Sequence, residues 1–155
     1  MSQIPHTIAD HERIVRIIFS PINVKILKDG SKQILPNAFR SPTGIDEVSV
    51  IRLDYSTIDF CKKLGRANEK PIEKRRFFGL ASIEAKQIRT VNADVISTPK
   101  RQNPAHADIK IGFIPKKGEP LPTEFRIKLD ELVKKTTFYE DPNPESNVWE
   151  GQIIR

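Results

Sequence analysis

The sequence predicts an α+β fold, a mainly antiparallel sheet of short strands with about two helices packed on one face or end. Three observations carry that expectation. Short β-branched and aromatic runs, bounded by Pro, Gly, Asn and Asp, dominate the first two-thirds of the chain. Helical periodicity occurs in only two windows, about residues 57–65 and 123–135. The regular strand–helix alternation of a parallel sheet is missing.

Residues 1–10 read as a loose N-terminal arm. Ile14, Val15, Ile17, Ile18 and Phe19 favour a buried strand that Pro21 stops. Asn23 to Leu27 is a short strand or turn, Asp29-Gly30 a turn, and Ile34-Leu35-Pro36 a brief return to the core. Arg40-Ser41-Pro42-Thr43-Gly44 is a loop, and Val48, Val50, Ile51 and Leu53 make the next strand. Ser56 or Thr57 can cap a helix with Asp59 in its first turn, Ile58, Cys61 and Leu64 on one face, and Gly65 as its end. Phe77 to Ile83 reads as a buried strand, which Ile88 to Val91 continues or pairs beside, and Ala93 to Ser97 is another.

His106, Asp108 and Lys110 alternate with Ala107, Ile109 and Ile111, a period of two that predicts a strand with one solvent face. Thr123 is positioned to cap a helix whose core stripe is Phe125, Leu129, Leu132 and Val133, leaving Lys128 exposed. Residues 139–155 form a Pro-rich irregular tail that Trp149 anchors to the body. The 155 residues suit a single domain, large enough to bury roughly two-thirds of the unfolded chain's surface.

Charge is distributed unevenly. The formal net charge is +6, and residues 60–92 hold all of it: Lys62, Lys63, Arg66, Lys70, Lys74, Arg75, Arg76, Lys86 and Arg89 face only Glu69, Glu73 and Glu84. Such a run is either a solvated face or a surface for an anionic partner, either a nucleic-acid backbone or an acidic protein. Lys62, Lys63, Arg66, Lys70, Lys74, Arg75 and Arg76 are the candidate contacts. Phe77 and Phe78, beside them, suit a core better than a base-stacking platform.

One cysteine, Cys61, excludes an internal disulfide, and no Cys/His spacing suggests zinc. Nothing approaches the roughly 18 apolar residues of a membrane span, and Met-Ser-Gln-Ile-Pro-His lacks a signal-peptide pattern. A cytoplasmic protein with no membrane partner is therefore the expectation, its oligomeric state open. Gly-rich phosphate cradles and nucleophile elbows are absent from the sequence, so neither a cofactor nor a metal is expected.

Two constellations could carry chemistry. His106 and Asp108, two apart on a strand, project to one side and could share a proton or a divalent metal. As an acid–base pair without a metal, Asp108 would lift the imidazole above about 6.5; as a screened, solvent-exposed pair it would barely move it. Arg16, then Ser49 on a strand, then Glu84 resembles in order the ADP-ribosyltransferases, in which such groups hold a nicotinamide dinucleotide and stabilise an oxocarbenium-like centre. The Ser-Thr-Ser and Glu-x-Glu context of that family is absent. Cys61, on an apolar helix face, reads as a buried inert thiol.

The reading that emerges is a small basic binding module using segment 60–92 on a nucleic-acid backbone or an acidic protein partner. The alternatives are a small enzyme, ADP-ribosyltransferase-like or metal-assisted, built on His106 and Asp108 with Arg16 and Ser49, or a subunit of a larger assembly that docks through its tail.

Overall fold

The computed structural model describes residues 3–155. In chain order the elements are β1 (Arg13–Pro21), β2 (Val24–Ile26), β3 (Lys32–Ile34), β4 (Val48–Arg52), α1 (Ile58–Ala67), β5 (Arg75–Glu84), α2 (Ala85–Thr90), β6 (Asp94–Ser97), β7 (His106–Lys110), α3 (Thr123–Lys134) and β8 (Thr137–Glu140). Six strands form one sheet in the order β6-β7-β4-β1-β5-β8, and β2-β3 is a separate hairpin. Every strand pairing is antiparallel, so the fold is α+β with a main antiparallel sheet.

Strand alternation gives the sheet two apolar faces, and each is covered. Ile14, Ile18, Val48, Val50, Ala107 and Ile109 join Leu129 and Leu132 of α3 and Ile88 of α2 in the larger core. Val15, Ile51, Phe77 and Leu80 meet Cys61 of α1 in the smaller one. Consecutive Phe77 and Phe78 serve different cores, as strand alternation requires, at a register shift where Ile18 lies opposite Gly79 but Phe19 opposite Phe77.

α1 begins where Thr57 Oγ1 accepts the Phe60 N–H at 3.0 Å. It does not end at Gly65 but runs on to Ala67. That glycine has a packing role: a Cβ there would collide with the Phe77 ring. Ile88–Val91, expected as strand, lies mostly in α2, where Glu84 and Gln87 make a reciprocal capping box. α3 starts at the expected Thr123, although Pro122 is its N-cap residue. Lys128 is half-buried, not exposed, because its ammonium donates to Ile111 O at 2.7 Å and Asn92 O at 2.9 Å.

The N-terminal arm is tied down instead of loose. Ile8 is buried, and Arg52, itself fully buried, donates to Pro5 O at 2.6 Å and to both Glu12 carboxylate oxygens at 2.8 and 2.9 Å. The tail follows β8 and is irregular. Trp149 packs against the smaller core, its backbone N–H donating to Asp59 Oδ1 at 2.7 Å. Lys62 holds the same tail from beneath: its ammonium, fully buried, reaches Asp141, Asn143 O at 2.9 Å and Val148 O at 3.0 Å. Among the described residues no helix is long and apolar enough to cross a membrane.

Two predictions follow from the buried charges. Lys62→Ala is expected to cost about 3–5 kcal/mol, since it leaves Asp141 buried without its cation, whereas exposed Lys63→Ala should stay within about 0.5 kcal/mol. Equal urea midpoints for the two variants would remove the pair from its structural role. For Glu12, burial pushes the carboxyl up, but the Arg52 hydrogen bonds, the Ala9 N–H and the Arg52 charge outweigh it and hold the group below the ordinary value. Its stabilisation is therefore complete above about pH 4.3 and is lost as pH falls through the lower folded value. Denaturation midpoints measured down that range should fall in the wild type and fall less in Glu12→Gln.

Candidate functional site

β1 and β4 are ladder partners at only two positions, Ile14 with Arg52 and Val15 with Ile51. Beyond them the strands part, and Arg16 spans the gap: Nε donates to Ala38 O and Nη1 to Ser49 O, both at 2.8 Å. A side chain thus supplies donors where a backbone ladder has ended. On the α1 side of the sheet this parting opens a groove of about 1120 Å³. Its floor includes Val15, Ile17 and Ile51; Phe60 and Leu64 of α1 line one wall, and the loops around Arg40 and Gln102 complete it.

Charge in the groove is one-sided. Arg16, Arg40, Lys63, Arg75 and Lys100 line it against a single carboxylate, Glu47, and that carboxylate is 3.6 Å from Lys110. Burial and the neighbouring Arg75 charge push the Arg16 guanidinium down to about 10, which leaves it cationic at neutral pH. Arg75 lies over the Phe19 ring, 5.3 Å from its centre, which fixes its plane. Buried polar atoms are nearly always paired, yet Ser41 Oγ, Arg75 Nε, Asn103 Oδ1 and His106 Nε2 are buried without a hydrogen-bond partner in the protein. All four residues line this groove.

His106 and Asp108 are not on a solvent face: they are 4% and 5% exposed, because the loop after β6 folds back over them. Thr98 in that loop joins the two, its Oγ1 lying 2.8 Å from both His106 Nδ1 and Asp108 Oδ2. A hydroxyl has one proton and a carboxylate can only accept, so Thr98 gives its proton to Asp108. His106 Nδ1 must then be the protonated nitrogen, donating to Thr98 Oγ1 and to Thr98 O at 3.0 Å. This leaves Nε2 as an acceptor, a buried atom without a partner in the protein on a residue that lines the groove. Burial first, then the Lys100 charge, lower the imidazole pKa; Asp108, the Thr98 carbonyl and Glu47 oppose them but do not win. The expected upward shift is thus reversed, since burial and a nearby cation outweigh the carboxylate.

The structure therefore brings Arg16, Ser49 and His106 to one groove, with Asp108 behind His106. Glu84 is not with them. It pairs in register with Arg13 and is occupied in capping α2, so the three-residue order that resembles an ADP-ribosyltransferase does not converge. Among the described residues no three His, Cys, Asp or Glu side chains gather as a metal site. Cys61 is buried and its thiol is pushed up to about 12 by desolvation, which keeps it protonated.

Segment 60–92 does not act as one surface. Lys63 and Arg75 line the groove, while Lys62 is buried in its pair with Asp141. Arg66 and Arg76 line a separate hollow of about 140 Å³ that also holds Glu69 and Glu145. Lys70 and Lys74 are exposed on the connection before β5 and line neither. The groove residues that periodicity missed, Arg40, Ser41, Lys100 and Asn103, sit outside the strands and main helices, where no repeating pattern marks a position as functional.

In an NMR titration the His106 ring should change charge below about pH 6.5, and Asp108→Asn should lower its midpoint further by removing an opposing negative charge. A midpoint above that value would contradict the buried geometry. Because the folded value is depressed, His106 contributes stability that is present above about pH 6.5 and declines as pH falls through the folded pKa.

Comparison with protein-family models, curated proteins and solved structures finds no match to this chain.

Proposed function

We propose that the protein is a binding module for a nucleic-acid backbone, and that a single strand lies in the groove between α1 and the parted strands β1 and β4. The observation that carries this reading is the convergence of five cationic side chains on one concave surface against a single, already partnered carboxylate. Cations gathered in a cleft neutralise phosphates and release their counterions. The concavity favours a single strand, which can enter a groove, over a duplex, which presents a convex surface. An apolar floor with Phe60 on its wall suits bases as well as phosphates.

An acidic protein partner would meet the same charges, but it has no need of the apolar floor. A second reading, a small enzyme on a phosphorylated substrate, is favoured by one observation: Arg16, Ser49 and His106 share the groove, and a neutral imidazole beside cations could act as a general base.

For the binding reading, affinity for a short single-stranded oligonucleotide should fall with salt, with a log–log slope of about −0.7 per phosphate neutralised. The double variant Lys63→Glu/Lys100→Glu should weaken binding at least tenfold at low salt, each reversal costing on the order of 1 kcal/mol. Lys70→Glu/Lys74→Glu, off the groove, should bind nearly as the wild type does. Equal losses in the two double variants would mean diffuse attraction without a groove site, and displacement by polyglutamate but not by oligonucleotide would favour the acidic-protein reading. Recovery of a cleaved strand would move the assignment to the enzyme.

A further inference from the structure

The cations account for a phosphate ligand, but they leave His106 unexplained. Its Nε2 is a buried lone pair, fixed as an acceptor by the Asp108–Thr98–His106 chain and without a partner in the protein. Three residues earlier, Asn103 Oδ1 is another buried acceptor without a partner, and the two residues are joined by the His106 N–H to Asn103 O hydrogen bond at 3.1 Å. A phosphate oxygen cannot satisfy either atom, since acceptor would face acceptor. The ligand group that meets this end of the groove has to be a hydrogen-bond donor.

Resting on the nucleic-acid reading above, we infer that the groove selects ribose over deoxyribose strands, with His106 Nε2 accepting a hydrogen bond from a 2′-hydroxyl of the bound strand. A phosphate-bearing strand has two kinds of donor, the N–H groups of its bases and the 2′-hydroxyls of its sugars. The hydroxyl sits on the backbone that the cations hold, recurs at every nucleotide, and can be met without reading sequence. It is also an acceptor, so Lys100, which borders both His106 and the groove, can donate to its oxygen while its proton goes to Nε2. His106 is then a specificity-determining residue, positioned by Thr98 and Asp108.

Short oligouridylate and its 2′-deoxy and 2′-O-methyl analogues, labelled with one fluorophore and titrated with the full chain at neutral pH, test this with the base held constant. The ribose strand should bind about tenfold more tightly than either analogue, the discrimination expected of one hydrogen bond to an otherwise unpaired buried acceptor. His106→Phe should erase the preference, and His106→Gln, which keeps an acceptor, should restore part of it. Should His106→Phe not fold, the Nε2 resonance of wild-type His106 supplies the readout, moving on addition of the ribose strand and not of the 2′-O-methyl strand.

The preference should also shrink as pH falls, since protonated Nε2 becomes a donor. The charged groups that act on His106 in that titration are Lys100 from the preceding loop, Asp108 on its own strand and Glu47 before β4. Equal affinity for all three strands overturns the inference and leaves the binding reading standing. Preference for one base over another regardless of sugar reassigns the donor to a base edge and overturns it too. Failure of every strand to bind overturns the nucleic-acid reading itself.

Discussion

The candidate site depends on a short strand pairing. β1 and β4 are central in the sheet, yet they share a ladder at only two positions before parting, and Arg16 closes the opening by donating to Ala38 O and Ser49 O. A continuous ladder there would have closed the gap that Arg16 now spans. Because the bridge is a guanidinium, the same residue that repairs the sheet also brings positive charge to the groove. Arg16→Ala would remove both the repair and the charge, which is why exposed Lys63 and Lys100 report more cleanly on binding.

Two cations of this chain stand apart from those of the groove. Arg52 and Lys62 are fully buried, each with a carboxylate and with carbonyls to take up its remaining protons. Burying a charge is costly unless such partners are present, and once they are present the loss of either member is severe. These two pairs tie the chain's ends to its middle, Arg52 holding the N-terminal arm and Lys62 the C-terminal tail. The groove cations are different. Their attraction for one another's counter-charges is largely unanswered within the protein, and the energy of assembling like charges can be relieved by an anion.

Around His106 the arrangement constrains chemistry more than it supplies it. The Thr98 hydroxyl has a single proton, and giving it to Asp108 determines which imidazole nitrogen carries hydrogen. Burial and Lys100 then keep the ring neutral. The result is an acceptor in a groove otherwise rich in donors, a polarity that matches a ligand carrying both phosphate and hydroxyl or amino groups.

Much of the architecture was legible in the sequence, because side-chain periodicity and capping are local. The strand at Ile14–Phe19, the helix capped by Thr57, the alternating strand at His106 and the Leu129–Leu132 face of α3 all follow from spacing of a few residues. So did the buried character of Cys61 and the anchoring of Trp149. The Glu84-to-Gln87 capping box was equally local, although the β-branched Ile88 and Val91 beside it suggested a strand. Other properties belong only to the tertiary structure. Counting charges along residues 60–92 treats Lys62 and Lys63 alike, but a helix turns adjacent residues to different faces, one into a buried ion pair and the other into the groove. Alternation placed His106 and Asp108 on one side of β7, but whether that side met water depended on a loop folding back over it. Arg16, Arg40, Lys63, Arg75 and Lys100 are far apart in sequence and meet because β1 parts from β4, a long-range geometry that no local pattern encodes.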